Sequence, residues 1–228
     1  MILDWSYIVL VTPALLLAMW AQWSVSSTFS RYSGVTSGGC TGERAARAIL
    51  DANGLWNVRI ERIAGNLTDH FDPRTNVIRL SDGVYSAATV AAVGVAAHEA
   101  GHAVQYAVGY APMKLRAAIL PVTNFGSQLS MPLILIGAIF QLTPLVEAGI
   151  LLFSCVALFQ LVTLPVELNA SGRALRVIEG QSLLPDEGRR GAKKVLTAAA
   201  MTYVAALLVS VMQLLHLVLR FGGRRRDD

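Results

Sequence analysis

Residues 87–106 read AATVAAVGVAAHEAGHAVQY. Two folds are open to this stretch: a helix that crosses a membrane, or the buried core helix of a small domain beside one. Its upstream half, AATVAAVGVAA, is small and apolar. Such a run is shorter than the roughly 20 residues needed to cross a bilayer, and it suits a helix packed inside protein. The pattern predicts one helix from about Val84 to Tyr106. Inside it stand His98, Glu99 and His102, and the whole chain has only 4 histidines.

The spacing has a chemical meaning. Residues four apart on a helix lie on one face, one turn apart, so the imidazoles of His98 and His102 can both reach one Zn²⁺. Glu99 is turned by about 100° from His98, near a metal but not on it, where a general base for an attacking water belongs. Polar histidines on an apolar helix also need partners, and a metal supplies them.

Composition extends the membrane theme. The 228 residues are 54% hydrophobic and only 15% charged, with a mean hydropathy of +0.51; soluble domains carry about 25% charged residues. Four segments read as transmembrane helices: 5–23, 120–140, 145–164 and 195–219. Trp5, Tyr7, Trp20 and Trp23 sit near the ends of the first, as interfacial aromatics do. No Lys or Arg precedes it, which argues against a cleaved signal peptide. Gln213 and His216 in the last span are expected to face other helices. Cys40 and Cys155 match no zinc spacing and read as unpaired structural thiols.

Between the first two spans lies a polar stretch, 24–117, which reads as a small α+β domain. A helix starts at Thr41-Gly42-Glu43 and is stopped by Gly54. NVRIERI at 57–63 and NVIRLS at 76–81 alternate as strands do, the second after the breaker Asp72-Pro73. Nucleic acid is not an expected partner.

A catalytic zinc usually takes three protein ligands and keeps a fourth position open. If all four spans cross, 24–117 and the segment 165–194 lie on one side, while 141–144 and both termini lie on the other. Glu167, in LPVELNASGRAL, then becomes the favoured third ligand, because a carboxylate at the mouth of an apolar span needs a partner. Glu179 and His70 stay open as replacements.

The chain resembles the YugP-like family of bacterial membrane zinc metallopeptidases. The resemblance rests on DHFDPRTNVIRLSDGVYS, VAAHEAGHAVQYA and PVELNASGRAL, in that order, between apolar spans. More distantly it is similar to HtpX-type and CAAX-prenyl membrane proteases, which are gluzincins. This implies an α-helical integral membrane protein with a small α+β zincin-like catalytic domain. The carried-over zinc ligands would be His98, His102 and Glu167, with Glu99 as the base. Ser171 stands where a gluzincin aspartate would orient a ligand histidine, so the candidates for that hydrogen bond are Ser171, Asn169 or a distant carboxylate such as Asp72. In gluzincins an edge strand binds the peptide, which would give that role to Val77, Ile78 and Arg79. Arg173 and His70 are candidate oxyanion donors, with Tyr85 and Tyr106 behind them.

These parts imply peptide-bond hydrolysis by a zinc-activated water, with Glu99 moving the proton. The expected substrates are membrane or membrane-proximal polypeptides, and the expected place is a bacterial plasma membrane, with the bilayer as partner. Near the span ends, nine cations fall on the catalytic side: Arg31, Lys114, Arg116, Arg173, Arg176, Arg189, Arg190, Lys193 and Lys194. Four fall on the other, Arg220, Arg224, Arg225 and Arg226, in the basic tail 220–228. The balance puts the site on the cytoplasmic side. Two alternatives stand against this reading. A site-2-type intramembrane protease would need an aspartate ligand in a later span, and none occurs between Asp82 and Asp186. A non-catalytic scaffold with a pseudo-protease site would have no reason to keep Glu99 beside the histidines.

Overall fold

The computed structural model describes residues 4–222; Arg224, Arg225 and Arg226 of the basic tail lie outside them. The chain divides into two compact units. One takes 4–21, 114–165 and 202–222, and the other takes Gln22–Met113 and Val166–Met201.

Among the described residues, four helices are long and apolar enough to cross a membrane: α1 (Trp5–Ser33), α5 (Ala111–Ile139), α6 (Thr143–Gly180) and α7 (Asp186–Phe221). All are longer than the apolar runs that mark them, because backbone hydrogen bonding continues past the last apolar residue wherever no breaker intervenes. The expected separate segment 165–194 is therefore no segment of its own. It is the last part of α6, a short turn and the start of α7. The helix with the two histidines is not among the four, which goes against the site-2-type alternative.

In the first unit, large apolar side chains such as Trp5, Met19, Phe125, Ile139 and Leu151 face outward, as a lipid-facing surface requires. Small residues let helices touch. A Cβ on Gly149 of α6 would lie 2.7 Å from the Ser130 carbonyl oxygen of α5. His216 is fully buried, with Nδ1 3.1 Å from Ser6 Oγ, and Gln213 is buried too. Gln141, at φ 58°, turns the chain between α5 and α6.

The second unit holds α2 (Gly42–Ala52), β1 (Arg59–Ile63), β2 (His70–Asp72), β3 (Val77–Ser81), α3 (Asp82–Tyr85) and α4 (Val90–Ala107), with parts of α1, α6 and α7. The Thr41 side chain caps α2 by accepting from Arg44 N, satisfying an amide that helix geometry leaves without a partner. The single helix expected from about Val84 is in fact two. Thr89 is extended at ψ 156° and its hydroxyl accepts from Ala92 N, so a cap restarts the helix where the apolar pattern alone ran on. The alanine-rich half of α4 is the hub of the core. Ala92, Val93, Ala96, Ala97 and Ala100 are fully buried among Ala46 and Ile49 of α2, Ile78 and Leu80 of β3, Ile178 of α6 and Ala192 of α7. Burying a side chain such as Ile49 or Ile78 contributes about 1.5–3 kcal/mol.

The sheet has the order β1-β3-β2. β3 is parallel to β1 (Ile60↔Ile78) and antiparallel to β2 (Phe71↔Ile78). This corrects the expectation for Val77, Ile78 and Arg79. They form the central strand, with neighbours on both sides. Val77 and Ile78 are fully buried, and the Arg79 guanidinium is 3.0 Å from Asp72 and 3.6 Å from Glu61. Such a strand has no free edge for a peptide. Of the described strands next to α4, the edge is β2.

Candidate metal centre

His98 and His102 stand on successive turns of α4, with ring centroids 4.6 Å apart and planes at 82°. Glu167 projects from α6 to meet them. Its Oε2 is 3.1 Å from His98 Nε2 and 3.4 Å from His102 Nε2. One ligand atom from each of the three lies within 4.8 Å of the others, and this is the one such group among the described residues. α4 and α6 come this close because Gly101 has no side chain. A Cβ there would fall 2.6 Å from the Ala170 carbonyl oxygen, which no packed structure tolerates.

The rings are aimed by their other nitrogens. His98 Nδ1 is 3.0 Å from Ser171 Oγ, and His102 Nδ1 is 3.0 Å from Gln105 Oε1. Glu167 and Ser171 are one turn apart on α6, so one helix face supplies a candidate ligand and the group that orients another. Ser171 thus takes the place expected of an aspartate.

The donor set fits zinc. Two imidazole nitrogens and one carboxylate oxygen are the ligands of many catalytic zinc sites, and both Nε2 atoms converge on the carboxylate. Charge supports the fit. Burial opposes a charge on His102, but the hydrogen bond to Glu167 and the negative charges of Glu99 and Glu167 outweigh it and hold the imidazole's pKa above its usual value. A buried group of this kind calls for a cation, whether a proton or a metal.

Glu99 faces the same space from the next position on α4. Burial raises its carboxyl pKa, and the nearby histidines offset part of that shift. Its Oε2 accepts the Phe71 N–H at 3.0 Å. Because that N–H turns to Glu99 and not to β3, the outer edge of β2 runs beside the carboxylate. The Tyr106 ring, one turn past His102, packs on Phe71 at 5.9 Å between centroids.

Other expectations land elsewhere. Arg173 is not turned to the histidines: its Nε donates to Asn169 Oδ1 at 2.8 Å, and it lines a small cavity with Ile49, Asn53 and Val104. His70 is exposed on β2, its Nδ1 2.8 Å from the Thr68 carbonyl oxygen and outside the three-residue group. Asp72 orients no candidate ligand. Its carboxylate takes Thr75 Oγ1, Arg79 and the Arg74 N–H, which hold its pKa well below the usual range. Gln105 and Phe71 were not expected. Gln105 carried a signal, since it lies three residues past His102 and is a polar residue on an apolar helix face.

A family model described as "Putative neutral zinc metallopeptidase" matches residues 7–222. A protein of Bacillus subtilis (strain 168) named "Putative membrane protease YugP" is 47% identical over 223 residues, which are 97% of this chain and 99% of that protein. No solved structure matches the chain.

Proposed function

Since the chain belongs to this family of neutral zinc metallopeptidases and carries four helices fit to cross a membrane, we propose that it is a gluzincin-type metalloendopeptidase with a zincin-like domain. His98, His102 and Glu167 hold its zinc, and Glu99 is its general base. The observation that carries the reading is the convergence of His98 Nε2, His102 Nε2 and Glu167 Oε2, with Glu99 next on the same helix.

Zinc, when bound, supplies Lewis acidity toward a water and the scissile carbonyl. The protein's own groups do the rest. Glu99 takes the proton of the attacking water on a carboxylate oxygen and passes it to the leaving amine. Ser171 and Gln105 keep the rings oriented. An extended peptide lying beside β2 would run along the Glu99 carboxylate, which already takes the Phe71 N–H, and the Phe71–Tyr106 pair would offer it an apolar wall. Full-length protein in lipid nanodiscs should cleave members of a random peptide library, lose this with a zinc chelator and regain it with zinc. A zinc-loaded protein that cleaves nothing in the library would count against the assignment and favour the scaffold alternative.

The substrates are membrane or membrane-proximal polypeptides, the membrane is a bacterial plasma membrane, and the site faces the cytoplasm. The support for the cytoplasmic side is the cation balance around the spans; for the membrane it is the four apolar helices and the bacterial relative, and for the substrates it is the site's place in a membrane protein. In a chain with Cys40 and Cys155 replaced, a cysteine at Ser33 should resist a membrane-impermeant thiol reagent in intact cells, whereas one at Gln141 should react. The reverse labelling would put proteolysis outside the cell.

A further inference from the structure

We propose that Gln105 is a positioning residue that holds His102 in the tautomer whose Nε2 lone pair is free for the metal, and that Asn169 and Arg173 set Gln105 in that role. The inference rests on reading His98, His102 and Glu167 as the zinc ligands.

The polarity of the hydrogen bonds is determined from both ends. The Val166 carbonyl oxygen can only accept, and it lies 2.8 Å from Gln105 Nε2. A guanidinium can only donate, so the 2.8 Å contact from Arg173 Nε makes Asn169 Oδ1 an acceptor. That same oxygen is 3.0 Å from Gln105 Nε2. Both contacts require the amide nitrogen on this side, which leaves Gln105 Oε1 facing His102 Nδ1 at 3.0 Å. An amide oxygen carries no proton, so Nδ1 must be the N–H of the ring. In a neutral imidazole the lone pair is then at Nε2, the atom that faces Glu167. A flipped amide would set its oxygen against Val166 O and Asn169 Oδ1, in a place where Gln105 is fully buried and water cannot repair the mismatch. Val166 also immediately precedes Glu167, so one side chain ties α4 to α6 at the third ligand.

Loss of a partner that orients a ligand typically costs about 10–100-fold in metal affinity. The test is chelator-competition affinity for Zn²⁺ on the full-length protein in detergent, with the absorption spectrum of the Co²⁺ form as a second readout. Gln105→Leu should bind Zn²⁺ roughly 10–100-fold more weakly and change the Co²⁺ spectrum. Asn169→Asp offers Arg173 and Gln105 the same acceptor and should bind as the wild type does, whereas Asn169→Leu should weaken binding. If Gln105→Leu fails to fold, the Asn169 pair decides alone. A folded Gln105→Leu protein with wild-type affinity and spectrum overturns the proposal, as does equal affinity for the two Asn169 variants. Wild-type-like binding by His98→Ala would sink the ligand assignment instead.

Discussion

Glu99→Gln should keep zinc and lose hydrolysis by about 100- to 10,000-fold, the range a positioned acid–base group contributes. The amide has the shape of the carboxyl, and its oxygen can still accept the Phe71 N–H that Glu99 accepts at 3.0 Å. The packing of β2 on α4 is therefore kept. What disappears is the ability to take a proton from water and release it to the amine. Turnover of a library-derived peptide, measured beside zinc content, reads both halves. Wild-type turnover in a zinc-loaded Glu99→Gln protein would remove Glu99 from the mechanism.

Glu167→Ala should lose zinc as severely as His98→Ala. Glu167 is 2% exposed and meets both Nε2 atoms through one oxygen. Its removal leaves two imidazoles and no anionic ligand, so the drop should exceed the roughly 10–100-fold that follows loss of an orienting partner. Glu179, further along α6, is the control. It is exposed, with a carboxylate oxygen 3.5 Å from Arg189, and Glu179→Ala should hold zinc normally. Full occupancy in a folded Glu167→Ala protein would send the search for a third ligand elsewhere.

Much of this site was legible in the sequence because it is local. His98 and His102 share a face through helix periodicity alone, and so do Glu167 and Ser171 once both lie on one helix. Hydropathy located the four long helices but not their ends, since 111–119 and 166–180 are helical without being uniformly apolar. Strand order was the blind spot. Alternation marks 76–81 as a strand whether it is central or at an edge, and the pairing with β1 and β2 depends on residues many positions away. The break before α4 depends on the Thr89 side chain, which competes with the helix for a backbone amide. Arg173 is a candidate oxyanion donor by sequence, but its guanidinium turns to Asn169.

The most direct test of the centre is zinc X-ray absorption on the purified full-length protein. Zinc held by His98, His102 and Glu167 should give nitrogen and oxygen scatterers near 2.0–2.1 Å, with the multiple-scattering pattern of two imidazoles and no sulfur. A sulfur shell near 2.3 Å, implicating Cys40 or Cys155, or the pattern of a single imidazole, would contradict the assignment of His98, His102 and Glu167.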